Sequence, residues 1–188
     1  AQVDKYGNLN TSALGTYAQP SVRVAGSGGG NDIGSSVGRL LIMMVQEKRR
    51  FVERVDYLTT PGYLSGGDAR DKAGLRGGGP SAAITTMGVF RFDPVTKEMY
   101  LEKCHPGVTP EKVRENVSWD LKIAPEVGVT EPPTQEQVEI MRTLDPYGLY
   151  LGSGRQGMAD PEKGFDFYME VLEKSYDTMT QLFREKGL

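Results

Sequence analysis

Leu-Leu-Ile-Met-Met-Val, residues Leu40–Val45, is the stretch of this chain that decides its fold. Every side chain in it is apolar, and there is no alternation between apolar and polar positions. Such a run is typical of a strand buried on both faces, as in a parallel sheet covered by helices above and below. We therefore expect an α/β fold with an open, mostly parallel sheet and helices on both faces.

The segments around this strand predict the other elements of the sheet. A short strand over 21–25 precedes it, and Asn31 or Asp32 can cap a short helix between the two. Further strands are predicted over 82–87, 89–92 and 99–104. Asp93-Pro94 marks a turn between the last two strands. Thr109-Pro110-Glu111 then supplies an N-cap, a proline at the first helical position and an acid in the first turn.

An amphipathic helix is predicted over 161–186, at the C-terminal end. Its apolar positions recur at intervals of three or four residues, which places them on one helix face. They are Phe165, Met169, Leu172, Tyr176, Met179 and Phe183. Such a face has to dock on another surface, either within the same chain or on another subunit.

Composition excludes several classes of function. The chain has 188 residues with 22 Lys and Arg against 25 Asp and Glu, which argues against a broadly basic nucleic-acid binder. Leu40–Val45 is the longest apolar run, and a membrane span needs about 20 such residues. With one cysteine, no internal disulfide can form, and no secretory signal opens the chain. We therefore expect a cytoplasmic protein that binds neither nucleic acid nor membrane.

His105 and Cys104 are the single histidine and the single cysteine of the chain. Two such residues leave almost no material for a zinc site, so no metal is expected. Neighbouring residues of a strand point to opposite faces, which disfavours a catalytic Cys-His pair here. The sequence favours a histidine in a turn and a cysteine packed in the core.

Glycine is unusually abundant, with 24 residues in clusters, and one cluster has the pattern of an anion site. Its sequence is Gly26-Ser27-Gly28-Gly29-Gly30-Asn31-Asp32. Glycines let a backbone approach a ligand closely with its N–H groups turned inward, and a helix begins just after them. The negative charge could be a phosphate, a carboxylate or the oxyanion of an acyl transfer. The alternative is a flexible Gly/Ser connector.

The known phosphate-binding motifs do not match this loop. A P-loop ends in Gly-Lys-Ser/Thr, whereas Asn31-Asp32 stands here, and the spacing Gly-x-Gly-x-x-Gly is also absent. The tetrad Glu47-Lys48-Arg49-Arg50 follows the apolar strand. Lys48 and Arg49 could receive phosphates or an acidic partner, and the alternative is a solvated face with local ion pairs.

Residues 1 to about 125 resemble the second, B-type subunit of the class I coenzyme A transferases, in particular the glutaconate CoA-transferase B-subunit group. The order and spacing of several segments together carry this resemblance. They are Ala1–Asp4, Tyr6–Asn10, Gly26–Gly29, Met43–Met44, Glu47–Phe51, Asp56–Gly62, Gly88–Phe92, Met99–Leu101 and Pro106–Val113. The expected organisation is a CoA-transferase-like α/β domain over 1–125 and an irregular extension over 126–188 that ends in a docking helix.

The resemblance implies an enzyme that works with an A-type subunit on acyl-CoA thioesters of small or dicarboxylic acids. In that family a glutamate attacks the thioester, a mixed anhydride forms, and the released CoA thiolate converts it to a glutamyl-CoA thioester. A carboxylic acid then accepts the CoA, so coenzyme A is part of the substrate. By motif match, the backbone N–H groups of Gly28, Gly29 and Gly30 would serve the oxyanion or the acyl group. The expected substrate-binding residues are Gly26, Ser27, Asn31, Asp32, Lys48 and Arg49.

The family nucleophile lies in a Glu-x-Gly motif at the end of a strand, upstream of the region that matches Ala1. Glu126-Val127-Gly128 has these letters but does not align with that strand. We therefore expect the nucleophile upstream of Ala1 or on a separate chain, such as an N-terminal B-type segment, or it has been lost. Two alternatives remain open: an acyl-CoA hydrolase or decarboxylase on the same fold, and a non-catalytic assembly subunit.

Overall fold

A computed structural model describes residues 1–145, 148 and 164–187 of the chain. The chain divides into two compact units, Ala1–Glu131 and Pro132–Leu188. The strands of the described residues are β1 (Gln2–Val3), β2 (Leu9–Asn10), β3 (Ala13–Gly15), β4 (Pro20–Arg23), β5 (Leu40–Met44), β6 (Pro80–Thr85), β7 (Gly88–Phe92), β8 (Met99–Cys104) and β9 (Lys122–Val129). Their helices are α1 (Gly30–Ser36), α2 (Ala69–Lys72), α3 (Pro110–Glu115), α4 (Gln135–Leu144) and α5 (Gly164–Lys186).

The main sheet has five strands in the order β5-β6-β7-β8-β9. Its two outer pairs, β5 with β6 and β8 with β9, are parallel, whereas β6-β7-β8 is an antiparallel meander. The α/β class is confirmed, but the sheet is mixed rather than mostly parallel. Strands β6, β7 and β8 are joined by tight turns, and a tight turn can join only antiparallel neighbours, because parallel neighbours need a long crossover. Only Thr86 and Met87 join β6 to β7, and the Asp93 carboxylate closes the next turn by accepting from the N–H groups of Val95 and Thr96.

Strand β5 is not buried on both faces, contrary to the expectation from its apolar run. Within the described chain it pairs only with β6, so it forms one edge of the sheet. Ile42 faces the core and is 3% exposed, whereas Leu41 is 50% and Met43 79% exposed. Side chains alternate across a strand, and no described element covers the second face at these positions.

The core of the first unit lies on the Ile42 face of the sheet. Phe51 is fully buried there, with its ring centroid 6.0 Å from that of Phe90 and 6.2 Å from that of Trp119. Helix α3 contributes the buried Val113. The Thr109 side chain accepts from the backbone N–H of Lys112, so the predicted N-cap is confirmed.

The two helices of the second unit are α4 and α5. Thr134 forms a capping box with Gln137 at the start of α4. The predicted boundary at residue 125 falls inside strand β9, and the first unit ends at Glu131. The apolar stripe of α5 includes Phe165 and Tyr176, which are 73% and 72% exposed. What this stripe docks on stays a prediction, and the predicted helix start at 161–163 lies outside the described residues.

None of the described helices has the length and apolar character needed to cross a membrane.

Candidate functional site

The glycine-rich loop before α1 is fixed at both of its ends. At the first end, the Gly26 N–H donates to Thr11 O at 2.7 Å, and the Thr11 hydroxyl donates to Gly26 O at 2.7 Å. At the second end, the Asn31 side-chain amide donates to Thr59 O at 3.1 Å. These bonds attach the loop to two neighbouring segments. They do not fit the flexible-connector alternative.

Two adjacent backbone donors of this loop, at Gly28 and Gly29, have no acceptor among the described residues. The next N–H, that of Gly30, donates to Ser27 O at 2.8 Å and closes a turn. The N–H groups of Gly28, Gly29 and Gly30 were expected to donate to a ligand, but that of Gly30 already donates to Ser27 O. Gly28 has φ +48°, in the left-handed region, where glycine carries no steric penalty.

The space around these two donors is open. A Cβ placed at Gly28 would meet no atom within 4 Å, and one placed at Gly29 would meet only the Ile33 side chain, at 3.8 Å. A ligand can therefore approach both peptide N–H groups. Helix α1 adds little to the site because it has only seven residues.

A cavity of about 480 Å³ adjoins the loop. Gly26, Ser27 and Asn31 line it, so the run does lie at a cleft, and Gly28 and Gly29 lie between these lining residues in the chain without lining the cavity themselves. The remaining wall comes from Ser12, Tyr17, Arg23, Val24, Ala25, Tyr57, Leu58 and Thr59. No Asp or Glu is among these lining residues, and Arg23 is their only cation. Asp32 does not line the cavity.

Tyr17, Arg23 and Tyr57 form one wall that sequence reasoning missed. The rings of Tyr17 and Tyr57 stack with their centroids 4.8 Å apart. The Arg23 guanidinium lies over the Tyr17 ring, with Cζ 4.8 Å from its centroid, and donates to Tyr17 O at 3.2 Å. No short-range signal could have found this wall, since Tyr17 and Tyr57 lie far apart in the sequence.

The hairpin β3–β4 carries Tyr17 and Arg23 to the cavity. The Asp56 carboxylate anchors this hairpin: it accepts from the Gly15 N–H at 2.9 Å and from the Gln2 side-chain amide at 3.0 Å. Arg23 pairs with Ala13 at the end of β4, and the chain then continues to the glycine loop.

Lys48 and Arg49 do not line this cavity. The Arg49 guanidinium forms an ion pair with the Glu47 carboxylate at 2.7 Å, and Arg50 binds the same carboxylate at 2.9 Å. Hydrogen bonds from Arg50 and then from Arg49 lower the pKa of Glu47. The geometry thus supports local ion pairing for Arg49, and a binding role for Lys48 stays a prediction.

Helix α1 follows the glycine loop. Arg70 joins this helix to the segment over 61–77. This guanidinium is buried, at 3% exposure, and donates only to backbone carbonyls. It bonds Gly34 O at the end of α1 at 2.7 Å, Gly62 O at 2.9 Å and Gly77 O at 2.9 Å. Burial lowers the pKa of Arg70. Nothing in the sequence around Arg70 distinguished it from a surface arginine.

His105 and Cys104 have structural roles, as expected. The Nε2 of His105 lies 2.8 Å from Thr85 O, a carbonyl, so this nitrogen donates. Its Nδ1 lies 2.8 Å from the hydroxyl oxygen of Thr130, and the two atoms share a hydrogen bond. Cys104 is 3% exposed in the core, and burial raises the pKa of its thiol. A protonated, buried thiol is a poor nucleophile.

The other candidate groups lie outside this cavity. Glu126 belongs to β9, which forms the opposite edge of the sheet from β5. Among the described residues, no group of three or more His, Cys, Asp or Glu is arranged to hold a metal ion.

The profile of a protein family described as "Coenzyme A transferase" matches residues 1–116. The chain belongs to this family. It is 40% identical over 152 residues to the B-type subunit of glutaconate CoA-transferase from Acidaminococcus fermentans, and the match covers 80% of this chain and 57% of that protein. The crystal structure of that organism's glutaconate coenzyme A-transferase superimposes with a TM-score of 0.71, covering 76% of this chain and 54% of that one.

Two further relatives bear on the reaction. The B-type subunit of 3-oxoadipate CoA-transferase from Pseudomonas knackmussii is 39% identical over 145 residues, or 77% of this chain and 56% of the relative. The cholesterol ring-cleaving hydrolase IpdB subunit of Rhodococcus jostii is 32% identical over 157 residues, or 79% and 58%. The chain thus spans somewhat more than half the length of the curated relatives it matches.

Proposed function

We propose that this chain is part of a B-type CoA-transferase subunit that acts on acyl-CoA thioesters of dicarboxylic acids. The observation that carries the proposal is the pair of unused N–H groups at Gly28 and Gly29, beside a cavity without acidic side chains. Membership in the CoA-transferase family supports the reaction class. Two relatives named for dicarboxylic substrates support the acyl group.

In this proposal the loop stabilises the oxygen of the thioester carbonyl. As the nucleophilic carboxylate adds to that carbon, the oxygen gains negative charge, and the N–H groups of Gly28 and Gly29 donate to it. Gly26, Ser27 and Asn31 line the space for the acyl chain. Gly30 and Asn31 hold the loop in shape through their bonds to Ser27 O and Thr59 O.

The proposed partner is an A-type subunit, because both CoA-transferase relatives are named as the B-type member of a set of subunits. No glutamate of the described residues lines the cavity, so the nucleophile comes from the rest of the assembled protein. Coenzyme A enters as part of the substrate. A cytoplasmic location agrees with the single cysteine of the chain.

The test is Gly29→Val in the assembled protein. Gly29 has φ −82°, so the backbone tolerates a side chain, but the branched chain would cover the two donors. We expect CoA transfer from glutaryl-CoA to acetate to fall about 100-fold or more, as when an oxyanion donor is lost. The borohydride-reducible glutamyl-CoA adduct should be lost in parallel.

Gly38→Val is the matched control, because a Cβ at Gly38 meets no atom within 4 Å, whereas one at Gly29 meets only the Ile33 side chain at 3.8 Å, and Gly38 does not line the cavity. It should keep the wild-type rate, and both variants should melt close to the wild-type temperature. Full activity of a folded Gly29→Val protein would refute the proposed role of the loop.

Hydrolysis of the thioester is the second candidate; a relative with 32% identity is a subunit of a hydrolase, which is named for the cleavage of a ring. The loop would stabilise the same oxyanion, with water as the final acceptor. Release of free CoA without any carboxylic acid acceptor would select hydrolysis, whereas a strict need for the acceptor would select transfer.

A further inference from the structure

We propose that Arg23 binds the carboxylate of the acyl group that is remote from the thioester, and thereby selects dicarboxylic substrates. This inference rests on the proposed function and adds a specificity-determining residue to it. Its starting point is the wall that Arg23 forms with Tyr17 and Tyr57 in the cavity next to the glycine loop.

The charge of the cavity is the first argument. Arg23 is the only cation in the lining, and no carboxylate lines the cavity to neutralise it. Arg23 forms no ion pair with any acidic side chain of the described residues. Ser12, Ser27 and Thr59 also line the cavity, and their hydroxyls bond within the protein, Ser12 with Thr59 at 2.8 Å and Ser27 to Gly28 O at 3.1 Å. The cavity is therefore suited to an anion.

The orientation of the guanidinium is the second argument. One Nη donates to Tyr17 O at 3.2 Å, and the guanidinium lies over the Tyr17 ring, which itself stacks on Tyr57. These contacts limit the conformations of a long side chain before any ligand binds. A guanidinium held in this way can present its remaining N–H groups to a carboxylate in a bidentate pair.

The position of Arg23 selects a carboxylate of the acyl group over a phosphate of CoA. Arg23 lines the same cavity as Gly26 and Ser27, which precede the two free N–H groups. In a short diacid thioester, the second carboxylate lies a few bonds from the carbonyl that those N–H groups would contact. In any acyl-CoA, the phosphates are separated from the thioester by the whole pantetheine arm.

The experiment compares glutaryl-CoA with valeryl-CoA, its analogue without the second carboxylate, in the assembled protein. Arg23→Gln should lower kcat/KM for glutaryl-CoA by about 10- to 100-fold, the usual effect of a charged hydrogen bond. It should change kcat/KM for valeryl-CoA less than about twofold. Arg23→Lys, which keeps the charge without the planar fork, should lie between the wild type and Arg23→Gln.

Arg114→Gln is the control, since Arg114 is exposed on α3 and does not line the cavity. It should leave both kcat/KM values unchanged. An equal loss on both substrates in Arg23→Gln would overturn the inference, because it would place Arg23 on the shared CoA moiety or in a purely structural role.

Binding of free glutarate, measured by calorimetry, separates this inference from the proposed function. If the wild type binds glutarate and Arg23→Gln does not, Arg23 recognises the carboxylate even where no CoA transfer is found, and only the proposed function fails. If the wild type transfers acyl groups but Arg23→Gln binds glutarate equally well, the inference fails and the proposed function stands.

Discussion

Two glycine-rich regions of this chain contain positions with opposite environments. In the loop over 26–30, a Cβ at Gly26 or Gly28 would meet no atom within 4 Å. In the segment over 62–79, a Cβ at Gly62 would lie 2.4 Å from the backbone of Gly7, and one at Gly77 would lie 2.2 Å from Val37 O. Gly26 and Gly28 leave space unfilled, whereas Gly62 and Gly77 leave none.

The comparison separates two uses of glycine. In the segment over 62–79, glycine lets backbones touch, and the free carbonyls are bound by the buried guanidinium of Arg70. In the loop over 26–30, glycine keeps two N–H groups accessible, at Gly28 and Gly29. We conclude that the packed segment holds the fold and that the open loop is available to a ligand.

The largest expected effect is that of Arg70→Met. The methionine fills most of the space but leaves the carbonyls of Gly34, Gly62 and Gly77 without their donor. We expect the free energy of unfolding to fall by about 4 kcal/mol in urea denaturation, as for other buried charged groups with several hydrogen bonds. The exposed Arg76→Met should cost less than about 0.5 kcal/mol. Similar small losses in both variants would contradict the role given to Arg70.

The next effect contrasts the two glycine regions directly. Gly62→Ala forces two backbones apart, so the free energy of unfolding should fall by about 3 kcal/mol. Gly29→Ala meets only the Ile33 side chain at an ordinary contact distance, so it should change that free energy by less than about 0.5 kcal/mol. Equal melting temperatures for the two variants would show that the regions do not differ in packing.

The smallest expected effect is the pH dependence that Asp4 gives to the free energy of unfolding. Asp4 is linked to the packed segment over 62–79 through Asn8. Asn8 donates to the Asp4 carboxylate at 2.9 Å and accepts from the Gly62 N–H at 2.9 Å. Burial raises the pKa of Asp4, against the opposing effect of the hydrogen bonds from Asn8 and Tyr6. Between the ordinary and the raised pKa, the folded state therefore binds more protons than the unfolded state.

The stabilising contribution of Asp4 is thus present below its ordinary pKa and is lost as pH rises through the raised value. Asp4→Asn should remove this contribution. The difference in unfolding free energy between wild type and Asp4→Asn should therefore shift against the wild type as pH rises from about 3 to 7. The exposed Asp120→Asn serves as the control, and a difference that does not vary with pH would refute the assignment.

Local signals predicted the elements that local chemistry decides. The turn at Asp93-Pro94 and the N-cap at Thr109 form as expected, because the groups that satisfy each backbone lie within a few residues. The helix after the glycine loop also forms, but its N-cap is Gly29, without a side-chain cap, and not Asn31 or Asp32 as predicted. The exposure of Leu41 and Met43 could not be predicted in this way. Whether a strand lies inside a sheet or at its edge depends on which distant strands pair with it.

The candidate site likewise has features that the local sequence predicts and features that depend on tertiary contacts. The sequence by itself determined that a glycine loop beginning at Gly26 leads into a short helix and can present N–H groups, since glycine permits the backbone conformation. Only the tertiary structure decided that Gly30 uses its N–H internally, that Arg23 and Tyr57 line one cavity with the loop, and that Arg70 ties α1 to a distant segment. Contacts between residues far apart in the chain leave no periodic or local trace in the sequence, because they are fixed by packing alone.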